Sequence, residues 1–342
     1  MFGKVLIVPL AVAILLLPSQ EAQAHSIGTF CSKIGATSQV HGKQKRLKVI
    51  CRRVKGKKKW VVLAAVKKTT TTTSTINPVT ADALISDEIV DFHRTMYFAS
   101  RRTNEEHRSY RIVLPKNFDH NNYYPLALGL HGLGGSAYEM QKQSGLENGS
   151  IPMIVIYPEG SGSERGVQQS WNAGSCCRPA IDVQPDDVSF LAYLIGTVKQ
   201  KFRVDSSRVW VFGYSNGGMM GYRLACEIPD LITGVGIGAG AFTVQECSPT
   251  KSVSLLQITG DQDVKVPRLG GGPYSVVSAE TSIRLYAIAN SCTSVMDFRS
   301  DIDWDCPNNS SIKLLIDANQ DHQWNSNWTD TMISFLSTHN RN

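Results

Sequence analysis

Five consecutive residues, Gly213-Tyr214-Ser215-Asn216-Gly217, have the composition of a turn that presents a serine as a nucleophile. In such a turn the serine backbone is strained and bulky neighbours would clash, so glycines stand two positions to either side. The short pattern also arises as a passive glycine-rich turn. Here it follows an apolar run, 209–212, and precedes a helical pattern, 217–227, which is the strand-turn-helix context that a nucleophile requires.

A serine hydroxyl is a weak nucleophile near neutral pH and needs a histidine to take its proton and a carboxylate to orient the ring. In the strand-turn-helix arrangement the chain order is serine, acid, histidine. Beyond Ser215 stand two histidines, His322 and His339, and His339 is three residues from the end of the sequence, where fraying is expected. Elimination leaves His322 as the base. For the acid, both Asp261 and Asp263 lie in a segment that follows an apolar run, while Asp297, Asp301, Asp303 and Asp305 read as a solvated loop. The charge that develops on a carbonyl oxygen under attack needs fixed N–H donors. The expected donors are the backbone N–H groups of Asn216 and of Leu133, the latter within His131-Gly132-Leu133-Gly134-Gly135. That glycine-rich run lacks the Gly-Lys-Ser/Thr ending of a phosphate loop. His131 precedes the serine and is expected to support its loop rather than act as a base.

These residues need a scaffold of alternating strands and helices. Continuous apolar runs at 126–130, 154–157 and 209–212 suit strands buried on both faces, 253–258 and 312–316 are expected as further strands, and 110–114 suits an earlier, antiparallel strand. Helical spacing predicts helices over 187–202, 217–227, 278–289 and 328–338, with Asp186 and Asp187 available to cap the first. Strands alternating with helices mean an α/β domain with a largely parallel sheet.

Several segments together carry a family likeness: Arg108-Ser109-Tyr110-Arg111, the His131-Gly132 loop, Ser170-Trp171-Asn172-Ala173-Gly174 with Cys176-Cys177, Asp186-Asp187-Val188, and Ser215 to Met220 followed by Arg223-Leu224-Ala225-Cys226. They resemble the polyhydroxybutyrate depolymerase-like esterases and the related feruloyl and acetylxylan esterases, from about Arg108 to the end of the sequence. The resemblance implies an α/β-hydrolase fold. It also assigns the acid, because the family's Gly-x-x-Asp-x-x-Val-Pro segment matches Gly260 to Pro267 with Asp263 in the acid position. The family's histidine stands in Gly-Gly-Gly-His-x-Trp; here the segment is Asn319-Gln320-Asp321-His322-Gln323-Trp324, and Thr259 stands where the family has a further histidine. Trp171 and Trp324 are expected to line the substrate cleft.

The implied chemistry is two-step acyl transfer through Ser215, His322 and Asp263, without metal or organic cofactor. Feruloyl or acetyl esters of plant polysaccharide, or polyhydroxyalkanoate-type polyester, are the implied substrates. The alternatives are a catalytically inactive polymer- or cell-wall-binding protein, and a lipase or peptidase of the same fold.

The remaining features set location and partners. Of the 342 residues, 42% are hydrophobic and 19% charged, ordinary for a globular protein. Lys4, an apolar run over 5–17 and Ala22-Gln23-Ala24 read as a signal peptide over 1–24; a membrane span needs about 18 or more apolar residues. A secreted, extracellular chain without a transmembrane segment is expected. Eight cysteines follow, an even number that argues for disulfides, with chain proximity favouring Cys31–Cys51 and Cys292–Cys306. The net charge of +6 hides a division near Pro78: between His25 and Pro78 stand 13 Lys or Arg and no acid. A small basic disulfide module over 25–66, a Thr-rich linker over 67–80 and an esterase domain over 81–342 are expected. Residues 43–59 would hold anionic cell-wall material or polysaccharide through their field, with nucleic acid excluded as a partner by export.

Overall fold

The computed structural model of the chain describes residues 37–41, 46–54, 57–62, 90–98, 106–162, 168–298 and 301–339. The expected signal peptide, Cys31 of the expected Cys31–Cys51 pair and the Thr-rich linker lie outside the described residues. The chain divides into two units, Met1–Asn77 and Pro78–Asn342. In the first, β1 (Thr37–His41), β2 (Arg46–Val54) and β3 (Lys57–Val62) form an antiparallel sheet in that order.

The second unit is built on a ten-stranded sheet. Its centre is six parallel strands, in the order β13 (Ser310–Asp317), β10 (Ser254–Gly260), β9 (Gly234–Gly238), β8 (Val204–Tyr214), β6 (Tyr124–Leu130) and β7 (Ile154–Pro158). Antiparallel strands extend it at both ends. Beyond β7 lie β5 (Glu106–Leu114) and β4 (Val90–Phe98); beyond β13 lie β12 (Asp301–Cys306) and β11 (Thr293–Phe298). Every residue of β6, β7, β9 and β10 is buried, which explains their largely apolar character. Among the polar residues of β10, Gln257 is satisfied: its oxygen accepts from the Tyr222 hydroxyl at 2.5 Å and its amide donates to Gly240 O and Thr259 Oγ1.

Helices cover both faces. Buried residues of α3 (Asp187–Lys201), α4 (Asn216–Glu227) and α5 (Ala279–Ala289) share one apolar core. Those of α1 (Ala137–Ser144) and α6 (Ser326–Thr338) share the other. Asp186 caps α3 as expected, its carboxylate accepting from Ser189 N at 3.2 Å.

Two parts of the sheet differ from the sequence reading. The acidic stretch with Asp297, Asp301, Asp303 and Asp305 is not a loop but strands β11 and β12. Asp303 faces Lys313 on β13, with 3.6 Å between charges, and accepts from the Ser311 hydroxyl, so the cross-strand neighbour compensates the acidic residue. The strand Gly-Val-Gly-Ile-Gly, β9, is absent from the sequence reading because glycine is a poor strand former. Its glycines serve close approach: a Cβ on Gly236 would sit 2.7 Å from Met332 Sδ, and one on Gly238 would sit 2.9 Å from the Trp324 and Trp328 rings. Disulfides join Cys292 to Cys306, as chain proximity favours, and also Cys226 to Cys247 and Cys176 to Cys177.

Candidate active site

Strand β6 leads by α1 to β7 on one side, whereas β8 pairs with β6 on the other. At such a reversal the loops after the two strands diverge and leave a crevice at the carboxyl edge of the sheet. The loop after β6 carries His131 to Gly135, and β8 ends at Ser215.

Ser215 has φ 52° and ψ −118°, a conformation that ordinary residues avoid. Its N–H donates to Gly238 O at 2.9 Å, and the turn is pressed against its surroundings. A Cβ on Gly213 would run into the Gly217 carbonyl, and one on Gly217 into that of Leu130. No larger residue fits at either position.

The loops after β10 and β13 bring Asp263 and His322 to the same edge. His322 Nε2 lies 3.0 Å from Ser215 Oγ, and Nδ1 lies 2.6 Å from Asp263 Oδ2. The other Asp263 oxygen accepts from the N–H groups of Lys265 and Val266, each at 2.8 Å. These bonds fix the carboxylate and leave one oxygen for the histidine. Asp261 is exposed and accepts from Asn319 N at 2.7 Å, so it braces the histidine loop from outside. His339 closes α6, its Nδ1 at 2.8 Å from Phe335 O.

Leu133 stands in a turn held by Gly135 N donating to Gly132 O and Gly134 N to Gln169 O. This turn touches the serine: a Cβ on Gly132 would lie 3.2 Å from Ser215 Cβ. Asn216 is the first residue of α4, where N–H groups have no intrahelical acceptor. A cavity of about 410 Å³ opens beside the turn, bordered by Leu133 and Tyr214 and by Glu139, Lys142 and Gln143 of α1.

His131 is buried and its ring is fully engaged. Gly160 N donates to Nε2 at 2.9 Å, which leaves Nδ1–H to donate to Gly132 O at 2.7 Å. Burial, the largest influence, lowers its pKa from 6.5 to about 4. Although Glu159 Oε2 lies 4.0 Å from Nε2, that oxygen already accepts from Ala137 N, and the ring stays neutral. His131 thus braces the turn, as the sequence reading expects.

Neither tryptophan occupies its expected place. Trp171 is fully buried; its indole N–H donates to His131 O at 2.9 Å, and its backbone N–H and C=O both bond the Asn216 side-chain amide. It is a strut beneath the cleft rather than a wall. Trp324 is 8% exposed, packs edge-on to Tyr214 and Trp328, and donates to Thr329 Oγ1. A side chain this large reads as a stacking surface in sequence, yet the dense packing under the loops claims both rings.

Other supports are invisible to motif reading. Buried Asp187 pairs with Arg108 at 2.8 Å and accepts from Asn172 N at 2.8 Å, while Arg223 donates to the Asn172 carbonyl. Arg108, Asp187 and Arg223 all stand in the segments that carry the family likeness, but nothing in their spacing announces that they meet. Tyr214, the variable position of the pentapeptide, donates its hydroxyl to His322 O at 2.6 Å.

The Esterase family model, described as "Putative esterase", matches residues 100–334. The "Putative esterase NocK" of Nocardia uniformis subsp. tsuyamanensis is 38% identical over 146 residues, covering 41% of this chain and 40% of that protein. Feruloyl esterase B of Piromyces equi is 26% identical over 194 residues, covering 53% of this chain and 35% of that protein. The chain therefore spans less than half the length of these curated relatives. Among solved structures, the acetyl xylan esterase from Aspergillus awamori aligns with a TM-score of 0.52 and 14% identity, over 72% of this chain and 99% of that one, and so shares the fold. The chain belongs to the Esterase family, with the α/β-hydrolase fold that feruloyl-esterase-like proteins share.

Proposed function

We propose that the chain is an exported serine ester hydrolase acting on acyl esters of plant polysaccharide, feruloyl or acetyl. The observation that carries this reading is the contact sequence Ser215 Oγ, His322 Nε2, His322 Nδ1 and Asp263, at 3.0 and 2.6 Å. In the reaction Ser215 Oγ attacks the ester carbonyl while its proton passes to His322 Nε2. Asp263 holds the ring with Nδ1–H toward itself and stabilises the imidazolium. The N–H groups of Leu133 and Asn216 receive the oxyanion. The tetrahedral species collapses, the C–O bond to the alcohol breaks, and the alcohol leaves with the proton from Nε2. Water, deprotonated by the same nitrogen, then releases the acid and restores Ser215.

The substrate class rests on the feruloyl esterase relative. The cavity accords with it, since Leu133 and Tyr214 offer apolar surface while Glu139, Lys142 and Gln143 offer hydrogen bonds to a hydroxylated partner. A panel of methyl ferulate, p-nitrophenyl acetate, acetylated xylan, polyhydroxybutyrate and a peptide anilide tests it. Highest kcat/KM on the feruloyl or acetyl sugar esters is expected; preference for the polyester or the anilide would overturn the assignment.

A second reading concerns the basic unit. Between His25 and Pro78 stand 13 Lys or Arg and no acidic residue, a concentration of like charge that is self-repelling. An anionic polysaccharide laid across residues 43–59 would relieve that repulsion. Retention on polygalacturonate that falls steeply with added salt is the expected result, and salt-independent or absent retention would refute it.

A further inference from the structure

We propose that Tyr214 is a positioning residue, whose hydroxyl sets the place of His322 relative to the nucleophile carried by the next residue of its own chain. This rests on the reading of Ser215 and His322 as nucleophile and base.

His322 is delivered by a loop, and a loop alone does not hold a ring to the tolerance that proton transfer needs. The loop's upstream half is tied to the acid segment: Asn319 N donates to Asp261 and Gln262 N to Gln320 O. At His322 itself, the bond from Tyr214 at 2.6 Å is the one tie to its backbone among the described residues. It crosses from the β8 side of the site to the β13 side, so nucleophile and base are referenced to one residue. The Tyr214 ring also flanks the imidazole, with centroids 5.2 Å apart and planes at 38°, which restricts how the histidine can tilt. Burial first, then the Asp263 and Asp321 charges, hold the phenol above the ordinary tyrosine range. The hydroxyl therefore remains a donor throughout the working pH range. Phenylalanine would keep the ring and its packing and remove only the tie.

The test is Tyr214→Phe in the full chain. A displacement approaching 1 Å at reacting groups costs up to about 100-fold, and loss of one tie is expected to lower kcat on p-nitrophenyl acetate by about 10-fold, with KM changed less than about 2-fold. Fluorophosphonate labelling should slow in proportion. The low-field proton resonance of His322 Nδ1–H, which reports its bond to Asp263, should broaden. A folded variant with unchanged kcat, labelling rate and resonance overturns the proposal, as does a fall in melting temperature with kcat intact. If the wild-type protein itself neither labels nor hydrolyses esters, the functional reading fails, and the resonance in the two proteins still decides whether Tyr214 positions His322.

Discussion

Ser215 holds a backbone conformation, φ 52° and ψ −118°, that costs on the order of 1–3 kcal/mol for a residue with a Cβ. The strain aims the hydroxyl away from the sheet, toward His322. It should be separable from the chemistry. Alanine at this position keeps the strain, whereas glycine releases it and gives part of the gain back through its freer unfolded chain. Ser215→Gly is therefore expected to be more stable than Ser215→Ala by about 1 kcal/mol, with neither turning over ester. Urea denaturation of the two checks this, and equal midpoints would mean the turn is unstrained.

At the scale of elements, the segment 170–174 lies between the His131 turn and α4, and Asp187 fixes it from the start of α3. Removing one partner of a buried pair leaves the other charge uncompensated. Asp187→Asn should thus destabilise the fold by about 3 kcal/mol, read from the urea midpoint, and lower kcat as Trp171 loosens beneath the His131 turn. Full activity at unchanged stability would contradict the role. The elements themselves were legible in the sequence where one physical signal dominates. Apolar runs, unbroken in β6 and β7 and interrupted by Gln257 in β10, marked these strands, and helical spacing marked α3 to within one residue. Strand β9 escaped because its glycines answer to the side chains of α6 and Trp324 rather than to strand propensity. Strands β11 and β12 escaped because their acidic composition reads as a loop, whereas on β12 Asp303 is compensated across the ladder by Lys313, a fact of register that composition does not carry. Within the site, chain order and the scarcity of histidines picked out Ser215 and His322, and the family likeness chose Asp263 over Asp261; these three residues meet. Which aromatic ring would face the cavity depended on packing, and it is Tyr214, not Trp171 or Trp324.

For the whole molecule, His131 couples stability to pH. In the unfolded chain its ring takes a proton near pH 6.5, and in the folded protein only near 4. Between these values the unfolded state binds more protons, so stability falls as pH drops from about 6.5 to about 4, by up to roughly 3 kcal/mol. Denaturation midpoints across that window should decline in the wild type and decline less in His131→Asn; parallel slopes would mean the ring titrates normally. The same residue braces the turn that carries Leu133, so the acid limit of the fold and that of the site should coincide. The central claim, that Ser215 is activated by His322 and Asp263, is tested most directly by reacting the full chain with a fluorophosphonate and mapping the adduct by mass spectrometry. Stoichiometric modification of Ser215, slowed by about 10⁴ when His322 is replaced by alanine, is the expected result. An unmodified Ser215, or one that reacts equally fast without His322, would contradict it.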